Sequence, residues 1–463
     1  MSSINERSPY FTDQYSDNAL YRDLKKGLKA LRNTKSITSN TKTTSIYLPQ
    51  FDKEPDHIYQ QRVSRSYLTN YWKRTIQSDS GKVLANPIKL NQKDESDLPD
   101  QYDAWLNDTD LEGKPLSVLA KDQLQLAQMK GVSLAFVDYL ADSARPFVKE
   151  IDIDDVLSFK TDSRTGRLNF LRWQSSVVID SEDETIVDSS NVIFEVTPTS
   201  WVMYDSDDED TPVDGGEITR YINGTTRITD EIPVSLFYTN KTGVMLADSP
   251  YRDLAEKTIE HFQVSSDLKN MMFYALQPIL FANGVPDEFQ VSALASYVMV
   301  KVPEGLPTAA DLKWVQVDAA PIEQAREQIA DIESQISAFG IDANGIRPSG
   351  NQTATAKAID SAGSNAALIM FASGLAEHLE RIIEIMSSYT LQSVNASVTV
   401  TPDFNLSDNN EKSKEARENY KAGLISAKAA TDVIKMNKGL PEDYDFEIDQ
   451  AMIQEDNAAL GLQ

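Results

Sequence analysis

The chain contains no cysteine. That excludes disulfides, thiolate metal sites and cysteine nucleophiles. Histidine is scarce as well: His57, His261 and His378 are the only three in 463 residues. They fall on separate expected helices, which argues against a histidine-based catalytic group or metal site. No H-E-x-x-H, G-x-S-x-G or G-x-G-x-x-G spacing occurs. Long apolar runs are missing too. The stretch AALIMFA at 366–372 falls far short of the roughly 20 residues that cross a bilayer. The opening MSSINERSPYFTDQ has no apolar core of a signal peptide. The expectation is a protein kept inside a cell or packed into a particle, with no membrane partner. Positive charge is also in deficit: 44 Lys and Arg stand against 71 Asp and Glu, a net charge of −27. A surface that acidic repels nucleic-acid phosphates unless its basic residues are gathered locally.

What is present is enough chain for two or more domains, with 41% hydrophobic and 8% aromatic residues for their cores. Residues 1–50 are polar and read as a mobile arm with a short helix near LYRDLKKGLKALR. Pro55-Asp56 opens a helix over 57–76 that interleaves Arg62, Arg65, Lys73 and Arg74 with Tyr and Trp. Such interleaving can serve nucleic acid, but a core helix with a wet face is the plainer reading. PLSVLAKDQLQLAQMK reads as a helix stopped by Gly131, and VSLAFVDYL as the strand after it. From 145 to 240 short β-branched and aromatic runs predict strands. Asn223-Gly224 marks a hairpin between alternating flanks.

After Pro250 the pattern turns helical to about 276. Some 35 residues of short strand and loop follow. Pro321 then opens a helix whose apolar positions Ile322, Ala325, Ile329, Ile332, Ile336 and Phe339 alternate three and four apart, a seam for a neighbouring helix. A polar loop leads into a long proline-free helix from Thr353 to about Tyr389. Its first half is rich in small residues, and Gly363 and Gly374 are its expected bending points. One strand and two or three charged helices close the chain.

The loop GIRPSGNQT keeps two glycines at the spacing of a phosphate-binding loop. Asn351 and Gln352 stand where the lysine and Ser/Thr belong, and a helix rather than a strand precedes it. It is not a nucleotide site. The acidic run DSDDED at 205–210 breaks the alternation that a calcium loop needs and reads as a solvated hairpin tip. Asp152, Asp154 and Asp155 alternate with Ile151 and Ile153, as on an exposed strand face. No set of acids is singled out for carboxylate–metal chemistry, and no cofactor is indicated.

The order of these elements, with IPVSLFYTN leading into DSPYRDLAEKTIEHFQVSSDLKNMMFYALQPILFANG and SGNQTATAKAID opening the long helix, resembles the portal proteins of tailed double-stranded DNA bacteriophages. YQQRVSRSYLTNYWKRTI and RPFVKEIDIDDVLSFKTD are similar to one branch of these families. The resemblance covers roughly residues 50–450 and rests on order and spacing more than on any single motif.

It implies an α+β fold. Residues 1–50 would be the N-terminal arm, 51–250 the wing, 251–284 and 321–340 the two stem helices, and 285–320 a small β-containing clip. The tunnel loop would be 341–353, the long bent wing helix with its strand 354–402, and the helical crown 403–463. It also implies a ring oligomer of about twelve subunits at one capsid vertex of the virion, assembled in the host bacterial cytoplasm. Double-stranded DNA would be packaged and ejected through it without sequence preference. The implied partners are other copies of itself, the large terminase subunit, head–tail adaptor or tail proteins, and capsid and scaffolding proteins; the implied role is structural, not enzymatic. Asn344, Arg347, Asn351 and Gln352 would face the channel from the tunnel loop. Glu323, Glu327 and Asp331, with Glu333, would face it from the stem, where a negative wall lets phosphates slide. The alternatives are another head–tail connector or adaptor, or a carboxylate–metal DNA-processing enzyme.

Overall fold

The structure is a computed structural model that describes residues 4–37, 43–94, 96–140, 144–179, 188–206, 211–222, 224–276, 279–283, 298–302, 311–315, 320–338, 354–390, 394–403, 409–436, 440 and 444–452.

The centre of the molecule is the strand Val132–Leu140, the middle member of a three-stranded antiparallel sheet between Val234–Tyr238 and Arg145–Ile151. Successive side chains of a strand point to opposite faces. Here both faces are covered, which is why VSLAFV reads as a continuous apolar run rather than an alternation. Ala135 and Val137 enter a core with Leu375, Leu379 and Ile382 of the long helix. Leu134 and Phe136 enter a second core with Trp173, Leu171 and Val196. The latter residues come from a five-stranded antiparallel meander running Val156–Thr161, Leu168–Ile179, Asp188–Val196, Ser200–Asp205, Pro212–Glu217.

The helix Leu116–Lys130 ends at Gly131, whose φ is +86°. A Cβ there would lie 2.5 Å from the Asp248 carbonyl oxygen, so only glycine both turns the chain and admits that neighbour. The Asn223-Gly224 signal corresponds to an antiparallel pair, Tyr221–Ile222 with Thr226–Arg227. Of the acidic run at 205–210, read as a hairpin tip, residues 207–210 lie outside the described residues; Ser200–Asp205 and Pro212–Glu217 pair antiparallel. The long helix spans Ala354–Ser388. At Gly374 a Cβ would come within 2.9 Å of Phe237 Cε2, so this glycine lets the helix lie close on the sheet. The strand after it, Ala396–Thr399, pairs with Lys89–Gln92. The charged helices Asn409–Lys421 and Ala427–Met436 pack on one another near the end of the chain.

Three expectations are corrected. Residues of the N-terminal arm are packed, not mobile: they form helices Thr12–Asp17, Ala19–Lys26 and Leu28–Asn33. Tyr21 and Leu24, one turn apart on the second of these, and Leu31 on the third are buried with Trp72, while Phe11 enters the meander core. The helix expected over 57–76 is two helices, Asp56–Arg65 and Tyr71–Val83. Asn70 caps the second by accepting from the Lys73 amide at 2.9 Å, a signal that an N-cap reading would have caught. Asp152–Asp155 is not an exposed strand but a short 3-10 turn, and Asp154 is 5% exposed.

That last reversal has an ionic cause. Lys130 Nζ reaches Asp152 at 2.6 Å and Asp154. Arg22 from the N-terminal helices lies 3.1 Å from Asp154, and Asn18 donates to it at 2.8 Å. Burial pulls the Asp154 carboxyl up, but Lys130, Asn18 and Arg22 outweigh it and hold the group below its ordinary value. For the half-buried Asp155, desolvation first and then Asp152 outweigh the pull of Lys130, and it is pushed up to about 6.

Candidate functional site

Between the α+β region and the long helix lies a helix pair with a small sheet between its two members. The first helix, Arg252–Ala275, buries Leu254, Ala255, Thr258, His261, Phe262 and Ser266. Those positions follow the helical period, so one face packs on Trp72 and Ile76 of the α+β region. Thr258 Oγ1 accepts from the Trp72 amide at 3.2 Å. Just before it, Tyr251 OH donates to Asp79 at 2.7 Å, and burial holds the phenol well above its ordinary pKa.

The helix read to about 276 ends at Ala275, and the segment 251–284 that the resemblance assigned to a stem helix also takes in a strand, Ile279–Asn283. It is the centre of a three-stranded sheet, parallel to Val298–Val302 and antiparallel to Asp311–Val315. The two flanking strands lie in the stretch expected to hold short strands.

The second helix, Ala320–Ala338, packs beside the first. Its seam is the expected one: Ala325, Ile332 and Ile336 are buried, and Ile322 and Ile329 are half-buried. Phe339 lies outside the described residues. On its remaining surface Glu323, Glu327 and Asp331 are exposed, and among the described residues no cation lies within salt-bridge distance of them. Asn344, Arg347, Asn351 and Gln352 lie outside the described residues.

Glu333, grouped with those acids from sequence, turns inward instead. Its Oε1 accepts from Tyr71 OH at 3.1 Å and lies 3.2 Å from His261 Nε2. The other ring nitrogen of His261 lies 3.4 Å from Ser265 Oγ, and the Tyr71 ring meets the imidazole edge-on at 5.1 Å. Burial first, and then Glu333, push the Tyr71 phenol up to about 12, so Tyr71 is a donor at any physiological pH. This clasp joins residues 71, 261 and 333, one from each of three helices. No sequence spacing links them.

The basic residues of the α+β region's first helices are largely used internally. Arg62, 2% exposed, forms a forked pair with Glu54 at 3.0 and 2.9 Å and reaches Asp267 at 3.4 Å. Arg65 stacks over Phe273 at 3.5 Å, and Lys269 sits over Tyr67 at 4.5 Å. These contacts fasten Asp56–Arg65 and Tyr67 to the first helix of the pair and support the core-helix reading.

One Ser–His contact is present. Ser235 Oγ lies 2.8 Å from His378 Nδ1. Both residues are buried, the imidazole stacks on Phe237, and burial pulls it down to about 3. A neutral ring sealed from solvent cannot meet a substrate; it ties the long helix to the central sheet. Among the described residues there is no group of three or more His, Asp or Glu that could hold a metal ion, and no helix long and apolar enough to cross a membrane.

A protein-family profile described as a domain of unknown function (DUF4055) matches residues 250–390, less than a third of the chain. That stretch covers the helix pair, the small sheet and the long helix. No curated protein matches. Among solved structures, the chain is similar to one titled "Virion of native gene transfer agent (GTA) particle", with 12% identity over 84% of this chain and 94% of that one, at a TM-score of 0.40. It is also similar to one titled "Neck of native GTA particle computed with C12 symmetry", with 13% identity over 80% and 90%, at a TM-score of 0.38. Both TM-scores are below 0.5, and neither likeness bears on the reading of this chain's site.

Proposed function

We propose that this chain is a portal-type subunit of a tailed-phage-like particle, forming a ring of about twelve copies through which double-stranded DNA enters and leaves the capsid. The observation that carries the reading is the division of the Ala320–Ala338 helix into an apolar seam and an uncompensated acidic face, Glu323, Glu327 and Asp331. Carboxylates without cations, repeated around a ring, make a wall that repels phosphates at close range and leaves DNA free to slide.

In this reading the helix pair is the stem and the sheet between its members the clip, which meets the terminase on packaging and adaptor or tail proteins later. Residues 341–353 are the tunnel loop. The α+β region with the long helix is the wing, and the C-terminal helices are the crown. The clasp of Tyr71, His261 and Glu333 sets the stem helices against the wing. The chain has no catalytic role; the motor that hydrolyses ATP is a separate protein.

The first test is electron microscopy of the purified protein, with its mass measured by light scattering. Rings with a central hole and about a dozen subunits are expected. A monomer that cleaves DNA with divalent metal, or one that hydrolyses ATP when DNA is added, overturns the proposal. Arg347 contributes one positive charge per subunit to the tunnel loop. Particles built with Arg347→Ala or Arg347→Glu are expected to package or retain DNA poorly, and normal behaviour of both removes that role.

A further inference from the structure

A cavity of about 330 Å³ opens beside the Tyr221–Thr226 hairpin, between it and the C-terminal end of the long helix. Arg220 lines it and is 1% exposed. Its Nη2 donates to the Glu231 carbonyl, and its Nε has no hydrogen-bond partner among the described residues. No described carboxylate lies within salt-bridge distance of it. A buried guanidinium satisfied on one edge only is costly, because arginine stays charged and keeps five donors. At the rim Arg381 is already balanced: Glu231 accepts from it at 2.8 Å and Glu384 lies at 3.5 Å. Arg220 is therefore the uncompensated cation, and the cavity has room for one negative charge. A dianionic phosphate would meet both glutamates. The walls next to Arg220 are apolar, from Ile222, Ile228, Ile385 and Val394.

The C-terminal segment 444–452 carries a complementary charge on a short helix, residues 446–452. Asp445 accepts from the Glu447 and Ile448 amides and Asp449 from Tyr444 OH, so Glu447 is the carboxylate left outward. Beside it Ile448 is 62% exposed and Met452, one helical turn on, 60%. Among the described residues the Glu447 carboxylate meets Lys428 alone, at 3.0 Å between side chains that are 58% and 79% exposed, a contact that contributes little.

We propose that the cavity receives a carboxylate of segment 444–452 from a second copy of this chain. Arg220 binds it at the base, and a neighbouring aliphatic side chain lies against Ile222 and Val394. The contact rests on the ring reading, since it needs adjoining copies. It is a crown-to-wing latch between neighbours.

The absence of native cysteine makes the test clean. Ile222→Cys and Ile448→Cys are introduced together in the full chain, and the assembled protein is bridged with a short bis-maleimide. Bands of two or more linked copies are expected on denaturing gels, and neither single variant gives them. Adding Arg220→Gln, or Glu447→Gln alone, is expected to slow linking about tenfold, the scale of one lost charged hydrogen bond. Light scattering on the same samples separates the two readings. Intact rings without linked copies overturn the latch and leave the ring standing, whereas a protein that forms no ring overturns both. A link within one copy, or linking unaffected by the charge variants, also overturns the latch.

Discussion

Charged residues are handled in opposite ways in the α+β region and in the helix pair. In the α+β region they are buried and paired: Lys130 and Asp154 have side chains only 3% and 6% exposed. Their cluster joins residue 22 of the N-terminal helices to the turn at 152–155. On the second helix of the pair, Glu323, Glu327 and Asp331 stay exposed, and only Ala325, Ile332 and Ile336 of its described residues are buried. The helix pair buries one seam and leaves the rest of its surface outward. The lesson is about where charge sits: buried pairs fix distant segments in place, and unpaired acids on an exposed face act outward.

The strongest way to break that comparison is to remove the buried cation. Lys130→Met leaves Asp152 and Asp154 without their main partner and is expected to cost about 3–5 kcal/mol, read as a fall in the urea midpoint. A loss below about 1 kcal/mol, the scale of an exposed pair, would show that the cluster is solvated after all.

Asp138 sharpens the same point from the other side, because it is half-buried with no cation in salt-bridge distance among the described residues. It accepts from the Tyr139 amide at 2.8 Å, and desolvation pushes it up to about 6. A carboxyl raised on folding binds its proton more tightly in the folded state, so its contribution becomes more favourable as pH falls through about 6 toward the ordinary aspartate value. Above pH 6 its charge is a cost. Asp138→Asn is therefore expected to stabilise the protein by about 2 kcal/mol at pH 7.5. The gain should shrink below pH 6 and vanish near pH 4. A gain that does not change with pH would mean that burial of the charge is not its cause.

Glu333→Ala opens the clasp on Tyr71 and His261. It is expected to cost about 1–2 kcal/mol and to lower the stability of the assembled ring more than that of the free chain, measured by comparing melting before and after assembly. Equal losses in both would confine the clasp to the fold of one subunit.

The smallest expected effect on folding comes from the exposed acids. Glu323→Gln with Glu327→Gln and Asp331→Asn should change stability by less than about 0.5 kcal/mol per site. In particles the same triple variant should retard DNA passage, most strongly at low salt. DNA movement unchanged at every ionic strength would take these residues off the channel wall.

Several elements were legible because a local rule carries them. The stop at Gly131 needs only a left-handed residue. The hairpin at Asn223-Gly224 needs only its turn dipeptide. The seam of the Ala320–Ala338 helix needs only spacing. Others were hidden because their cause is distant. Alternation at Ile151–Asp155 states which residues differ from their neighbours, not which side meets solvent; the answer came from Lys130 and Arg22. The N-terminal arm looked mobile because its apolar residues are few, yet Phe11, Leu24 and Leu31 are all buried in cores supplied by later segments. Glu333 looked like its exposed neighbours in sequence, and only the crossing of three helices turned it inward. The Arg220 cavity has no sequence signal either, because its walls come from a hairpin and a helix end more than 150 residues apart.

By itself the sequence determined periodicity, breaks and net charge: which stretches become helix or strand, where they stop, and that the surface is acidic. Those follow from torsional preference, side-chain period and charge count, all local or additive quantities. The tertiary structure decided which acids are buried and paired, which are left outward, and which distant side chains share a clasp or a cavity. Those depend on desolvation and on distances of a few ångströms between residues far apart in the chain, which exist only once the chain has packed.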